Sequence, residues 1–508
     1  MTPSSAQSAL NQLNFGKLNG RQVIANFEGG RITSDAGIVL IAELDKKLQI
    51  TTRFSECFQD YRNSSYVDYS VNQLLAQRVY GIILGYEDVN DHDKLRYDPA
   101  LAIALERLNF INSNEANLAG KSTINRLEYR PETVINQEKS RYHKIEHNPK
   151  EIEKTFVDIF LESYKKPPRQ IILDMDVTDD QVYGSQEGAF FNPHYQGVCY
   201  APLYIFCGHH LLVAKLRSSN VDPAGGALEE LQRIIGIIRA DWKETQIIVR
   251  GDSAYAREDI MEFCEEQAGV DYVIAMASNS QLKLRAMATI EKAKSDYEQR
   301  LEPVTELMET LFSPEDKLEE VGELVPESTF YRSLCYKTQE SWSCSRRVVT
   351  KVCYGSGGLK IRHVVTSLPA SKIPPSKLYT EKYCPRGEME NRIKEQQLDL
   401  FADRTSTQTF ESNQLRLWLS SMAYVLISLE FNSPLLAAKK LKLHWKPSVY
   451  EQNIFHTPPA CGGEILIIQV VAEGVETQSQ LNVLQNLHCV IMQGYRFSPP
   501  FRANASYF

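Results

Sequence analysis

Three acidic residues stand where they could do chemistry together. Asp176 closes the apolar run IILDMDVT, Asp252 follows IIVRG, and Glu390 lies in the stretch YCPRGEMENRIKEQQ that begins at Tyr383. The first two sit at the C-terminal ends of apolar runs, where α/β enzymes carry functional side chains. On a helix, Tyr383, Arg386, Glu390, Lys394 and Gln397 recur at steps of three or four and share one face. Three carboxylates held close can bind two hard cations through oxygen. Such a pair activates water or a 3′-hydroxyl and stabilises the leaving oxygen in phosphodiester displacement. Arg386, one turn before Glu390, could steady that carboxylate or meet a phosphate with two bonds. Strand-end acids also serve as caps and turn residues, and by chemistry alone that reading stands level with the catalytic one.

Several other polar clusters invite a chemical reading. Asp174 precedes Asp176 by two residues, points to the same strand face and is an alternative ligand. Glu388 and Glu395 flank Glu390 but fall off the shared helix face. Asp88, Asp91, His92 and Asp93 (YEDVNDHD) lack the Gly and terminal Glu of a calcium loop, and a capped turn between helices is expected. Cys207-Gly-His209-His210 has no partner pair at zinc spacing, so a strand-end turn is expected. Gly355–Gly358 (GSGG) is not followed by Gly-Lys-Ser/Thr, which makes it a hairpin turn. Lys439, Lys440, Lys442, His444, Trp445 and Lys446 suit DNA phosphates and equally a solvated amphipathic helix.

The elements that must position these residues change along the chain. At 508 residues, with 43% hydrophobic and 24% charged, two to four globular units with a sizeable core are expected. No apolar stretch approaches a membrane span and the start lacks a secretory pattern, so neither a membrane nor an exported protein is expected. Ten cysteines without CxxC pairs fit reduced thiols in a cytoplasm. The net charge of −8 is unevenly spread. Residues 301–330 hold nine acids against one base, whereas 331–450 hold 19 Lys and Arg against nine acids, leaving room for a polyanion partner. Residues 1–20 read as loose. Residues 21–166 read as mostly helical, with an amphipathic pattern over Tyr69–Leu84. After Pro167-Pro168 come β-rich runs at Gln170–Val177, Val198–Phe206 and Leu211–Leu216, a helix over Gly225–Ala240, and strands at Gln246–Arg250 and Tyr272–Met276. This is an α/β pattern with a mixed sheet. An acidic helical stretch (278–329) leads to strands at Phe330–Tyr336, Arg346–Tyr354 and Lys360–Thr366. Helix resumes from about Pro385 to Leu429.

The runs GGRITSDAG (29–37), LLAQRVYGIILGYEDVNDHDKLRYDP (74–99), LAGKSTINRLE (118–128), LDMDVTDDQVYGSQEGAFFNPHYQG (173–197), VRGDSAYAR (249–257) and YCPRGEMENRIKEQQLDLFADRTS (383–406) resemble DDE transposases of bacterial insertion sequences. The likeness is to the "thirteen-eighty" branch of the group marked by a Tyr-x2-Arg-x3-Glu signature, and it covers about residues 14–430. It implies an RNase-H-like core with a β-rich insertion, behind a helical N-terminal region (1–168) that binds DNA ends. The core would comprise 169–277 and 376–430, the insertion 278–375, and a divergent tail 431–508. Asp176 and Asp252 match the two catalytic Asp residues and Glu390 the signature Glu, with Tyr383 and Arg386 as companions. Together the three acids would hold two Mg²⁺ ions, with Mn²⁺ able to substitute. The group's signature ends in Lys seven residues after the Glu, where this chain has Gln397; either Lys394, one turn earlier, stands in or the position is dispensable in this branch. The resemblance further implies double-stranded DNA as partner (element ends and target), a homodimer on DNA, a DNA hairpin intermediate, and a bacterial cytoplasm at the nucleoid. A catalytically impaired remnant that grips element ends as a competitor or repressor is the alternative.

Residues 466–500 (LIIQVVAEGVETQSQLNVLQNLHCVIMQGYRFSPP) resemble instead the end of EAL-type cyclic-di-GMP phosphodiesterases, through Glu473-Gly-Val-Glu476-Thr477 and Gln493-Gly494-Tyr495. Without a Glu-Ala-Leu or Asp-Asp-Phe-Gly run the chain cannot assemble that family's metal site. The tail reads as a passenger from a disrupted gene, and its strand Ile465–Val471 is expected to lack pairing neighbours.

Overall fold

The computed structural model describes residues 12–18, 21–26, 32–107, 116–128, 144–311 and 321–431, with short strands at 453–456, 467–469, 471–472 and 491–492. They fall into two compact units: 1–55 with 60–127 and 426–508, and 56–59 with 128–425.

The first unit departs from the helical expectation at its start. Gln12–Leu18 and Arg21–Asn26 form an antiparallel hairpin in which Leu18 faces Arg21. The Asn19-Gly20 dipeptide between two alternating runs is a hairpin signal, and the reading of 1–20 as loose is corrected on that ground. Helices follow at Ile38–Leu48, Ile50–Glu56, Val71–Ile83 and Pro99–Ala104. Val71–Ile83 starts at a capping box, in which Ser70 and Gln73 satisfy each other's backbone N–H groups. From Leu74 onward this helix is buried on every side, and the amphipathic reading gives way to a central helix. Its polar residues are accommodated by exchange: Gln77 bonds the backbone of Ala119 twice, at 2.7 and 3.0 Å. The YEDVNDHD run forms short turns at Val89–Asp91 and His92–Leu95, with Asp88 and Asp91 in a capping box and His92 buried. The tail strand Ile467–Gln469 does have neighbours. It pairs antiparallel with Asn453–His456, which in turn pairs with Ile32–Thr33. The expectation of an unpaired strand is therefore corrected: backbone donors and acceptors accept any strand of suitable direction. The Lys439–Lys446 cluster lies outside the described residues.

The second unit is built on an eight-stranded mixed sheet. In chain order its strands are β1 (Gln170–Val177), β2 (Leu203–Cys207), β3 (His210–Lys215), β4 (Gln246–Gly251), β5 (Val270–Met276), β6 (Ser328–Tyr336), β7 (Arg346–Gly355) and β8 (Gly358–Thr366). The spatial order is β3-β2-β1-β4-β5-β8-β7-β6. Strands β1, β4 and β5 run parallel, and β2 and β8 flank them antiparallel. The parallel centre explains why IILDM, IIVR and YVIA read as nearly continuous apolar runs: both faces are covered. Helices α1 (Pro149–Glu162), α2 (Ala227–Asp241) and α3 (Glu258–Glu266) cover one face, where Phe160, Leu231, Ile234, Ile238, Met261 and Cys264 pack on Leu173, Met175, Val249 and Ile274. The other face packs Ile248, Val273, Val349 and Val364 against Leu378 and Tyr379. Strands β6–β8 join this same sheet through β5, and the long helix α4 (Ser280–Leu311) precedes them. Cys207 and His210 meet at the β2–β3 hairpin, and Gly355 and Gly358 at the β7–β8 turn, where Gly358 takes φ +80°.

Candidate active site

Strand alternation decides which face the β1 acids use. Ile171, Leu173 and Met175 enter the helix-covered face, so Ile172, Asp174 and Asp176 point to the other. That face receives the segment running from Leu378 through a π-helical turn to Tyr383, a single 3₁₀ turn (Cys384–Arg386), helix α5 (Gly387–Lys394) and a second π turn (Glu395–Asp399). Pro385 and Gly387 interrupt regular hydrogen bonding here, which helps to explain why the segment is not one smooth helix.

The two strand acids differ in what they touch. Asp174 faces Arg250 across the β1–β4 pair and accepts from both Arg250 Nε and Nη2, the latter at 2.6 Å; both side chains are under 10% exposed. Burial pushes the Asp174 carboxyl upward, while Arg250 opposes it. Arg250 Nη1 also donates to the Lys382 carbonyl at 2.6 Å, tying the centre of the sheet to the residue before Tyr383. Asp176 lies one step nearer the strand end, and its Oδ2 accepts from Arg386 Nη1 at 2.9 Å. Arg386 Nη2 donates to Glu390 Oε1 at 2.7 Å, so one guanidinium bridges two carboxylates that are far apart in sequence. Asp252 follows β4 and caps a 3₁₀ turn, accepting from Ala254 N at 2.9 Å.

The charges of the three acids are felt at Asp176. Burial pushes Asp176 up to about 6; Arg386 works against this, while the negative charges of Asp252 and Glu390 add to it. Arg386 loses solvation too, yet Asp176, Tyr383, Glu390 and Asp252 hold it more firmly protonated. Burial pushes the Tyr383 hydroxyl up, with Arg386 opposing and Asp252 reinforcing the shift. Of the expected companions, Arg386 bonds Asp176 and Glu390 directly, while Tyr383 and Asp252 are linked to it through charge. Lys394 is different: it is exposed, and among the described residues the bonds to the three acids include none from it. Gln397 instead donates to the carbonyl of Asp179 at 3.0 Å and to Asp180 Oδ1 at 2.9 Å.

The donors are all carboxylates, the ligand type that suits a hard divalent cation. Among the described residues no three His, Cys, Asp or Glu side chains stand together as a ready cation cage. Between Asp176 and Glu390 the Arg386 guanidinium supplies the positive charge a cation would bring. The residue types fit such an ion, and in this structure the Arg386 guanidinium lies between two of them. Sequence reasoning missed Arg250, whose signal was an Arg within the apolar run before Asp252. It also missed Asp180, hidden in the acidic pair Asp179-Asp180.

No helix among the described residues is long and apolar enough to cross a membrane. The chain is similar to a solved structure described as a piggyBac transposase synaptic complex with hairpin DNA, at 10% identity and a TM-score of 0.33, over 77% of this chain and 74% of that one. It is also 51% identical over 41 residues to the oxygen sensor protein DosP of Escherichia coli (strain K12), a stretch that is 8% of this chain and 5% of that protein. The family described as Transposase DDE domain group 1 matches residues 15–443, most of the chain, and the protein belongs to this family of DDE transposases.

Proposed function

We propose that the protein is an insertion-sequence transposase that cleaves the ends of its element and joins the freed 3′-hydroxyls to target DNA by direct transesterification. The observation that carries this reading is the Arg386 bridge, which joins Glu390 to Asp176, with Asp252 following the adjacent parallel strand. The strand order β3-β2-β1-β4-β5, with β1 antiparallel to β2 and parallel to β4, supports an RNase-H-like core. Asp176, Asp252 and Glu390 would hold two Mg²⁺ ions, or Mn²⁺ in their place. When bound, these ions supply Lewis-acid activation of water or a 3′-hydroxyl and neutralise charge on the leaving oxygen. Arg386 orients Asp176 and Glu390 and, once released, offers two N–H groups to a phosphate. Tyr383 closes the site beside Arg386, and Lys394, exposed one turn beyond Glu390, is available to the DNA backbone. Double-stranded DNA is the partner, gripped by a homodimer that pairs two ends, with the region before β1 reading the ends. A hairpin intermediate belongs to this scheme.

A second reading is an impaired chain that binds element ends as a competitor. The 41-residue likeness to DosP favours it, as material from outside the transposase family. Labelled duplexes carrying the sequences that flank the gene decide between them. Mg²⁺-dependent nicking, lost in Asp252→Asn with binding retained, is the expected outcome. Binding without nicking by the parent chain establishes the competitor instead.

A further inference from the structure

Gln397 grips the segment that follows Asp176. Its Nε2 donates to the Asp179 carbonyl and to Asp180 Oδ1, and its Oε1 accepts a long bond, 3.4 Å, from Thr178 Oγ1. Asp180 is fully buried, on a two-residue strand (Asp180–Gln181) paired with Cys199 and Tyr200, and its Oδ2 has no hydrogen-bond partner among the described residues. A carboxyl so placed is stable as the neutral acid, and burial does push it well above the usual range, with the charges of Asp179 and Asp403 adding to the shift. The other side of the same π turn is held as well. Buried Gln396 accepts from Ser421 Oγ at 3.3 Å, and its carbonyl accepts from Ala402 N at 2.9 Å. The turn that continues the Glu390 helix is therefore clamped between the loop after Asp176 and the helix Phe410–Phe431. Residues 217 positions apart close this clamp, and it joins the two segments that carry Asp176 and Glu390.

We propose that Gln397 and Asp180 are positioning residues that form a lock, fixing the Glu390 helix against the loop after Asp176 and thereby setting the carboxylate spacing that divalent-cation binding and turnover require. The lock rests on the transposase reading of Asp176 and Glu390, and it makes a claim that can fail separately. A side chain at 397 is asked for two N–H donations, one to a main-chain carbonyl and one to a neutral buried acid. The primary amide of Gln meets both without burying a charge.

The test uses the full chain and two readouts: Mn²⁺ affinity by titration calorimetry, and single-turnover nicking of the end duplex. Gln397→Ala and Asp180→Ala are each expected to weaken Mn²⁺ binding about 10-fold and slow nicking about 10- to 100-fold, the range seen when supporting partners of metal ligands are removed. Duplex affinity should stay within about 2-fold, and the double variant should be no worse than either single one, as for residues acting as one unit. Asp180→Asn, which keeps the acceptor and stays neutral, should recover most of the loss seen with Asp180→Ala. Additive losses, unchanged Mn²⁺ affinity, or an Asp180→Asn variant as poor as Asp180→Ala would overturn the lock. If the Mn²⁺ pattern holds while the parent chain nicks nothing, the lock stands and the transposase chemistry falls. If the parent nicks and the variants match it, the reverse is established.

Discussion

Replacing Arg250 by Met tests whether Asp174, the acid of β1 that faces it, belongs to a buried structural tie. Arg250 and Asp174 have side chains 6% and 8% exposed, so neither charge can turn to solvent without moving the centre of the sheet. Removing one partner of a buried pair leaves the other uncompensated, which costs about 3–5 kcal/mol. The bond from Arg250 to the Lys382 carbonyl is lost as well. For a unit of this size each kcal/mol lowers the melting temperature by about 2–4 °C, so a fall of about 6–20 °C is expected for Arg250→Met. Circular dichroism melts of the full chain measure it. The double variant Asp174→Leu/Arg250→Met puts apolar groups in place of both charges and should regain most of the loss, because a buried pair swapped for packed hydrophobes is often neutral in stability. A single variant melting within about 2 °C of the parent, or a double variant no better than the single, would refute the argument that this pair is a buried structural tie.

Three further outcomes follow from the geometry. Although burial works against it, bonds from Arg346 and Ser343 hold Glu258 down to about 2. The stability this gives is present above the usual glutamate range and drains away as pH falls toward 2, so the melting gap between the parent and Glu258→Gln should narrow on acidification. A gap that widens refutes the pairing. Gly251 precedes Asp252, and a Cβ there would stand 2.8 Å from Cδ2 of buried Tyr255. Gly251→Ala should therefore cost about 1–3 kcal/mol in denaturant titrations and weaken Mn²⁺ binding. Deleting residues 460–508 removes no strand of the eight-stranded sheet, and the main melting transition should stay within about 2 °C; a larger loss would show that the pairing of Ile467–Gln469 with Asn453–His456 carries stability.

Much of the central sheet was legible because its strands are buried on both faces and their sequences show it. Gln170–Val177 has the bounds expected, and the strands at 246, 328, 346 and 358 differ from expectation by one or two residues. The helix at 227–241 was equally plain. What escaped was structure decided by distant partners. The π turns at 378–383 and 395–399 follow from packing on the sheet and on Phe410–Phe431, for which the local sequence carries no period. The shared face of Tyr383, Arg386, Glu390, Lys394 and Gln397 assumed one continuous α-helix. Glu390 and Lys394 do share a face of the regular helix Gly387–Lys394, where both are exposed, but Gln397 falls in the π turn beyond it and turns toward Asp180. The N-terminal hairpin was missed for a plainer reason: its Asn-Gly signal was passed over in a polar stretch.

The bridge between Arg386 and Asp176 spans 210 residues of chain. At bacterial synthesis rates of about 5–20 residues per second, that separation is on the order of ten to forty seconds on the ribosome. Once β4 has been made, β1 and β4 can pair and bury their apolar faces for the rest of that interval, while the guanidinium that neutralises Asp176 and the carboxylate of Glu390 have yet to be made. The nascent core thus passes through a stage with two acids and no counter-charge at the strand ends. The candidate site is completed last, by a segment whose arrival brings its counter-charge and its third carboxylate at one stroke.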